Sequence, residues 1–287
     1  SLNYRVKVAT RNPYLKGYLK PMGNPGQIEL FKTNIFNSED IKQVLKNCDL
    51  AINLVGILNE TRKQKFNQIH AQFPYLLSNL CYESGIRNLV HVSALGVKEK
   101  HVSKYMQSKL QGEKNIKATF KPSVILRPSL IFGPGDKFFN TFASLAQFCP
   151  VLPLIGGGKT KFAPIYVGNV AKAIVKALEL NNSEPKIYEL GGPENYSFKE
   201  LMEILLIEIK KKRFLISIPF RVAKLQSYFL QMLPNPLLTP DQVDMLKYNN
   251  IVSGDYFTLK DLGITGTTIR SILPKYIYRF RAGGQFG

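Results

Sequence analysis

Leu50-Ala-Ile-Asn-Leu-Val-Gly56 is apolar at almost every position and then stops at a glycine. A strand with one wet face alternates apolar and polar residues. A near-continuous apolar run is what a parallel strand covered by helices on both faces looks like. Asn88-Leu-Val-His-Val-Ser93 has the same character, and so does Ser123-Val-Ile-Leu-Arg-Pro-Ser-Leu-Ile-Phe132, which ends at Gly133-Pro-Gly-Asp136. Helical stretches separate these runs, one from about Lys65 to Glu83 and one around Tyr105. Upstream, Tyr4–Arg11 alternates and stops at Asn12-Pro13, and Gln27–Asn34 follows the turn Gly23-Asn-Pro-Gly26. Ser38–Lys46, with Asn37 or Ser38 as cap and acids in its first turn, predicts a helix. Strands alternating with helices build βαβ units. The expected class is therefore α/β, a Rossmann-type doubly wound parallel sheet.

Beyond Asp136 the alternation loosens. Phe138–Phe148 reads as an aromatic-rich helix, and Ile165–Val167 as a short strand before a helix over 168–178. Ile187–Leu190 reads as a strand. Ser197-Phe-Lys-Glu200 is a capping box opening a helix that runs to about Lys211. Phe214–Pro219 predicts a strand, and short helical pieces follow from Asp241 through Thr267 to Arg281. The expected division is a dinucleotide-binding domain over 1–136 and a smaller α+β lobe over 137–287. Helix 169–181 is expected to pack back onto the first domain.

Ligands on such sheets collect at the C-terminal ends of the strands. Arg11, Asn34, Gly56, Ser93 and Pro128 all fall at or near such ends. Tyr105 and Lys109, four residues apart, share one helix face. An ammonium beside a phenol favours the phenolate, so the expected effect is a lowered tyrosine pKa. With the Ser93 hydroxyl, the pair suits proton exchange with a carbonyl or carbinol oxygen. A second Tyr-x-x-x-Lys, Tyr256–Lys260, follows the turn Ser253-Gly-Asp255 and has no serine-ending strand before it. Arg11 bears on the cofactor if Tyr4–Arg11 is the second strand of a dinucleotide fold. An acid there binds the ribose 2′-hydroxyl of NAD, whereas arginine accommodates the 2′-phosphate of NADP, so NADP(H) is favoured over NAD(H).

Ile155-Gly-Gly-Gly-Lys-Thr160 resembles a phosphate loop but has Pro153 where that pattern needs glycine, and it reads as a plain loop. His70, His91 and His101 have no metal spacing, and no metal site is expected. Three scattered cysteines in 287 residues suggest no disulfide framework and point to a reducing compartment. Neither a signal peptide nor a membrane span is expected from these residues, since no apolar run is long enough to cross a bilayer. The net charge of +19 is spread along the whole chain. It reads first as a general lysine bias and then as suited to an anionic membrane or protein partner; nucleic acid is not expected. The amphipathic segment Phe220–Leu233 suits core packing, with lipid or a partner as the alternative.

Together these residues resemble the short-chain dehydrogenase/reductase superfamily in its extended or atypical branch. Ser93, Tyr105 and Lys109 match its catalytic Ser and Tyr-x-x-x-Lys. Asn53-Leu-Val-Gly56 is similar to its cofactor-wall turn, and Arg127-Pro-Ser-Leu-Ile-Phe-Gly-Pro134 to its segment beside the nicotinamide. Tyr166-Val-Gly-Asn-Val-Ala171 resembles its Val-x-Asp-Val-Ala helix start, with Asn169 in place of aspartate. More narrowly, Asn53–Leu58, Val92–Gly96, Val151–Gly158, Tyr188–Pro193 and the tail Tyr278–Phe286 resemble the nucleotide-binding accessory subunits of respiratory complex I and their bacterial relatives.

The resemblance implies catalytic roles for Ser93, Tyr105 and Lys109. It implies cofactor contacts at Arg11, Asn34, Ile35, Asn53, Val55, Gly56, Tyr105, Lys109, Pro128 and Ser129. The implied function is an NAD(P)H-binding protein whose nucleotide is mainly structural, with complex I subunits or an anionic membrane surface as partners. Its expected place is the cytoplasm or the inner face of the respiratory membrane, the matrix side in a mitochondrion. The alternative is an active oxidoreductase or epimerase in which Tyr105 moves the proton, Lys109 binds the nicotinamide ribose and Ser93 orients the substrate. A third possibility is a structural lobe without cofactor. The family's Gly-x-x-Gly-x-x-Gly loop would lie before Tyr4, so the sequence is expected to start inside a longer chain.

Overall fold

The strands form where β-branched and aliphatic residues are concentrated, and the helices starting at Ser38, Lys104, Phe198 and Pro240 open on a capping side chain that satisfies a first-turn amide. The computed structural model describes residues 3–233 and 236–283. Its first half runs β1 (Val6–Thr10), β2 (Ile28–Lys32), α1 (Ser38–Leu45), β3 (Leu50–Asn53), α2 (Phe73–Glu83), β4 (Asn88–Val92), α3 (Lys104–Thr119) and β5 (Ser123–Pro128). Next come β6 (Ile131–Phe132), α4 (Phe138–Phe148), β7 (Val151–Ile155), β8 (Lys161–Phe162), β9 (Ile165–Tyr166), α5 (Val167–Leu178) and β10 (Lys186–Leu190). The last part holds β11 (Tyr196–Ser197), α6 (Phe198–Glu208), β12 (Phe214–Ile218), α7 (Phe220–Leu230), α8 (Pro240–Met245), β13 (Phe257–Thr258), α9 (Ile269–Ile272) and α10 (Pro274–Ile277).

Five strands form one parallel sheet in the order β13-β10-β5-β4-β3. β1 and β2 pair in parallel as a separate two-stranded sheet, and no ladder joins β1 to β3. Side chains of a strand alternate between faces, and the two faces of the large sheet bury different helices. Leu89 packs with α1, α2 and α3 through Ile41, Leu77, Cys81 and Ile116. Val90, Val124 and Leu126 face α5 through Val170, Ala173 and Ala177. Asn88 fastens α5 to the sheet, donating to the Ala177 carbonyl (2.8 Å) and the Leu180 carbonyl (3.1 Å). A further core gathers α4, α6, α9 and α10 around Phe132, Phe139 and Leu201.

Caps follow the sequence. The Asn37 side chain accepts from the Glu39 amide, and Ser197 and Glu200 close a capping box. Three features go beyond or differ from the sequence expectation. Tyr14–Met22, between the two expected turns and with no element expected, forms a 3-10 helix with no buried residue. Phe257–Thr258 adds a sheet-edge strand to a stretch expected to be helical. The expected helix from Lys65 contains a π turn, Gln68–Gln72, before α2. This wide turn packs against α3 at Gly112, where any Cβ would overlap the His70 carbonyl oxygen.

Arg127 projects from β5 into the interior. Its Nε and Nη2 grip Glu113 of α3 bidentately (3.0 and 2.6 Å). Nη1 lies 3.8 Å from Glu189 of β10, and the Tyr256 ring covers the guanidinium at 4.7 Å.

Gly112→Ala is expected to cost about 2–4 kcal/mol, because the added methyl meets backbone rather than a movable side chain. Gly17→Ala, with nothing within 4 Å of the new Cβ, serves as the control. Thermal melts should show a large drop for Gly112→Ala and little change for Gly17→Ala; equal midpoints would refute the close approach.

Candidate functional site

The C-terminal ends of β3 and β4 bring together side chains distant in sequence. Ser93 follows β4, and its amide donates to the Leu126 carbonyl (2.7 Å). Its hydroxyl is buried without a partner. Lys109, on α3, donates from Nζ to the Val92 carbonyl (3.2 Å), next to Ser93. Tyr105 lies one turn earlier on the same helix, its ring centroid 6.0 Å from Lys109 Nζ. Ser93, Tyr105 and Lys109 are 5%, 8% and 4% exposed.

His70 stands edge-on to Tyr105, with ring centroids 5.2 Å apart, and Phe66 packs beside both. The Ile57 amide donates to His70 Nε2 (3.0 Å), so the imidazole proton sits on Nδ1. Nδ1 faces the Ser108 hydroxyl (2.9 Å), which donates to the Tyr105 carbonyl (2.7 Å). This relay fixes the ring against the helix that carries the tyrosine. Gly56 borders the same cluster: a Cβ there would sit 3.4 Å from Lys109 Nζ and 3.7 Å from His70 Nε2. Asn53 turns its Oδ1 to the Val55 amide (3.0 Å) and leaves its Nδ2 buried and unpartnered. His91, its ladder neighbour, has both ring nitrogens in that condition.

The other expected contacts are placed differently. Arg11 is exposed beyond β1. Asn34 is held by its own loop, its amide donating to Asp40 (2.8 Å) and its Oδ1 accepting from the Phe36 amide (3.1 Å). Ile35 packs against the α1–α2 core. Arg11 thus sits at the end of the β1–β2 pair, and Asn34 and Ile35 in the turn that leads from β2 into α1. The Pro128 carbonyl accepts from the Leu95 amide (2.9 Å), and the Ser129 hydroxyl donates to Asn250. Among the described residues no group of three or more His, Cys, Asp or Glu side chains converges on a metal position. No helix among them is long and apolar enough to cross a membrane. The second Tyr-x-x-x-Lys is not a helix face, since Tyr256 covers Arg127 and Lys260 opens a 3-10 turn. Of the tail motif, Gly284, Gln285 and Phe286 lie outside the described residues.

The electrostatics correct one expectation. Burial, and then the Asp241 carboxylate, push the Tyr105 phenol up to about 12. The Lys109 ammonium does not lower it, because it points to the Val92 carbonyl and stands off the ring. Burial lowers Lys109 itself to about 8, with Glu113 opposing. The cluster therefore holds a protonated phenol beside an ammonium, which suits proton donation better than abstraction. Burial, then the Lys109 charge, lowers His70 to about 3, so its ring is neutral.

Between pH 6.5 and about 3 the unfolded chain binds a proton at His70 that the folded chain does not. Stability is therefore expected to fall as pH drops through that window. Burial shifts His91 and His101 in the same direction. His70→Gln keeps an acceptor for the Ile57 amide and removes one titrating group. Its melting temperature should fall less steeply below pH 6.5 than that of the parent protein; parallel slopes would contradict the neutral, buried His70.

Comparison with known proteins places this geometry in a lineage. The chain is 31% identical over 282 residues to the mitochondrial NADH dehydrogenase [ubiquinone] 1 alpha subcomplex subunit 9 of Arabidopsis thaliana, an alignment covering 94% of this chain and 70% of that protein. The corresponding Mus musculus protein is 30% identical, covering 88% of this chain and 67% of its own length. Among solved structures, dTDP-glucose 4,6-dehydratase from Streptomyces venezuelae with NAD bound superposes with a TM-score of 0.71 at 15% identity, over 96% of this chain and 87% of that one. That likeness shows the Rossmann-like fold. The model of the NAD dependent epimerase/dehydratase family matches residues 2–191, the span that carries β1 to β5 and the Ser93–Tyr105–Lys109 cluster. The chain belongs to that NAD dependent epimerase/dehydratase family.

Proposed function

We propose that this chain is a dinucleotide-binding accessory subunit of respiratory NADH:ubiquinone oxidoreductase that holds NAD(P)H mainly as a structural element. The observation that carries this reading is the closure of the site. Ser93, Tyr105 and Lys109 are more than nine-tenths buried, with Phe66 and His70 packed beside Tyr105. Such a site fixes a bound group but offers a second substrate no open cleft. Similarity to the named complex I subunits along most of the chain adds to it.

The residues present fit a dinucleotide. Asn53 Nδ2 and Ser93 Oγ are buried polar atoms without partners, and groups of that kind are ordinarily satisfied by a ligand or water. Gly56 leaves room for close approach beside Lys109. In this assignment Asn53, Val55 and Gly56 form the wall, Lys109 binds ribose hydroxyls, and Tyr105, Pro128 and Ser129 face the nicotinamide end. Bound NAD(P)H supplies hydride chemistry; the protein groups orient it and exclude water. Exposed Arg11, with Asn34 and Ile35, takes the adenosine end, and its guanidinium favours the 2′-phosphate of NADP(H). Residues 1–136 with helix 169–181 serve the nucleotide, and 137–287 serve the partner.

The partner side is basic and apolar. From Ile209 to Thr239 there is no Asp or Glu, while Lys210, Lys211, Lys212, Arg213, Arg221 and Lys224 are present. On α7 and just after it, Val222, Leu225, Tyr228, Phe229 and Met232 are exposed. We assign this face to the membrane side of the complex, where anionic lipid suits it. A second reading, an active oxidoreductase or epimerase, draws on the buried, unpartnered Ser93 hydroxyl, to which it gives the role of orienting the substrate.

Fluorescence titration of the full-length protein should show NADPH binding about tenfold or more tighter than NADH, with Arg11→Glu abolishing that difference, since a charged hydrogen bond is worth roughly 1.5–3 kcal/mol. Tyr105→Phe should leave complex I assembly and activity unchanged. Failure to bind either nucleotide would overturn the proposal, and loss of a carbonyl-reducing turnover in Tyr105→Phe would favour the second reading.

A further inference from the structure

A segment of the second lobe reaches across to the first at the point where Tyr105 is carried. Asp241, in the first turn of α8, accepts three hydrogen bonds from the start of α3. They come from the Ser103 hydroxyl (2.7 Å), the Lys104 amide (2.6 Å) and the Tyr105 amide (3.2 Å). Ser103 also caps α3, accepting from the Met106 amide (3.2 Å). The carboxylate thus fills the positive end of a 16-residue helix, where an anion is favoured. It comes from 136 residues farther along the chain than Tyr105.

The contacts continue beyond α8. Met245 packs against the Phe66–Tyr105–Met106 cluster. Tyr248 lies 4.5 Å from His101, ring to ring, and Lys98 stands over it at 4.6 Å. Asn250 donates from Nδ2 to the Leu95 carbonyl (2.8 Å) and receives the Ser129 hydroxyl (2.6 Å). The strap is anchored on its own side by Lys224 of α7, paired to Asp244, and by the Asn250 amide, which donates to the Lys161 carbonyl of β8 (2.7 Å). Every one of these contacts draws on Thr239–Asn250, and those of Asp241 and Met245 reach Tyr105 itself.

We propose that Thr239–Asn250 is a strap that Asp241 latches onto α3, covering Tyr105, and that its release admits a ligand to the Ser93–Tyr105–Lys109 cluster. Asp241 is then a positioning residue. It sets the start of the helix that carries Tyr105 and touches no ligand. The inference rests on the assignment of that cluster as the ligand site.

Nitration of the full-length protein by tetranitromethane, mapped by peptide mass spectrometry, tests the strap whether or not a nucleotide binds, so the two proposals fail separately. In the parent protein Tyr105 should react far more slowly than Tyr14 and Tyr82, which are exposed. Asp241→Asn, compared with the parent at matched Tyr105 ionisation because removing the carboxylate also eases loss of the phenol proton, should raise the Tyr105 rate about tenfold, the effect of losing charged hydrogen bonds at a helix start. It should leave buried Tyr276 unchanged. Tyr248→Ala, which keeps the carboxylate and loosens the strap elsewhere, should raise the Tyr105 rate as well, together with deuterium uptake at the Lys104 and Tyr105 amides. A Tyr105 rate unchanged in both variants, or one that rises in step with Tyr276, would overturn the latch.

Discussion

The buried guanidinium of Arg127 ties the site to the sheet. It is held bidentately by Glu113, lies near Glu189 and is covered by Tyr256, so one side chain of β5 joins α3, β10 and the 250s segment. Taking these charges out of water costs several kcal/mol per ion, and only close geometry repays it. The arrangement therefore tolerates little displacement. Glu113 is one turn beyond Lys109 on the same helix, so fixing it against β5 fixes the register of Lys109 and Tyr105 over the ends of β3 and β4. Gly112, beside it, lets the helix approach the π turn that presents His70.

Burial then decides the protonation of everything nearby. His70 and His91 stay neutral because charging them inside the cluster competes with Lys109 and with desolvation. Tyr105 keeps its proton for the same reason, reinforced by Asp241. A Tyr–Lys pair read from spacing alone suggests a phenolate. In the folded chain the ammonium is engaged with a carbonyl of β4, and the phenol, packed among rings, stays neutral. Under the proposed function, the same residues would hold a dinucleotide, with Tyr105 as a buried proton donor.

Much of this was legible in the sequence. Asn88–Ser93 and Ser123–Pro128 read as buried parallel strands and are covered on both faces, whereas Leu50–Val55, read the same way, is the sheet's edge strand and leaves Ile52 and Leu54 exposed; Asn37 and the Ser197–Glu200 box announced their helices. Ser93, Tyr105 and Lys109 emerged from strand–loop–helix order. What could not be read were pairings made only in three dimensions. Glu113 and Glu189 carry no local sign of a shared arginine. His70 belongs to the cluster only because a π turn and a glycine on another helix bring it there. Asp241 and Asn250 look like ordinary cap and loop residues until their partners are known. Phe257–Thr258 is too short for periodicity to show, and its strand exists because β10 offers an edge.

The central claim is that a dinucleotide lies across the ends of β3, β4 and β5 with its nicotinamide ribose against Lys109. An experimental structure of the full-length protein with NADPH tests it most directly. The account predicts Lys109 Nζ within hydrogen-bond distance of the ribose hydroxyls, and the orphaned Asn53 Nδ2 and Ser93 Oγ facing the ligand or its waters. A nucleotide seated elsewhere, with Lys109 still bonded only to the Val92 carbonyl, would contradict it.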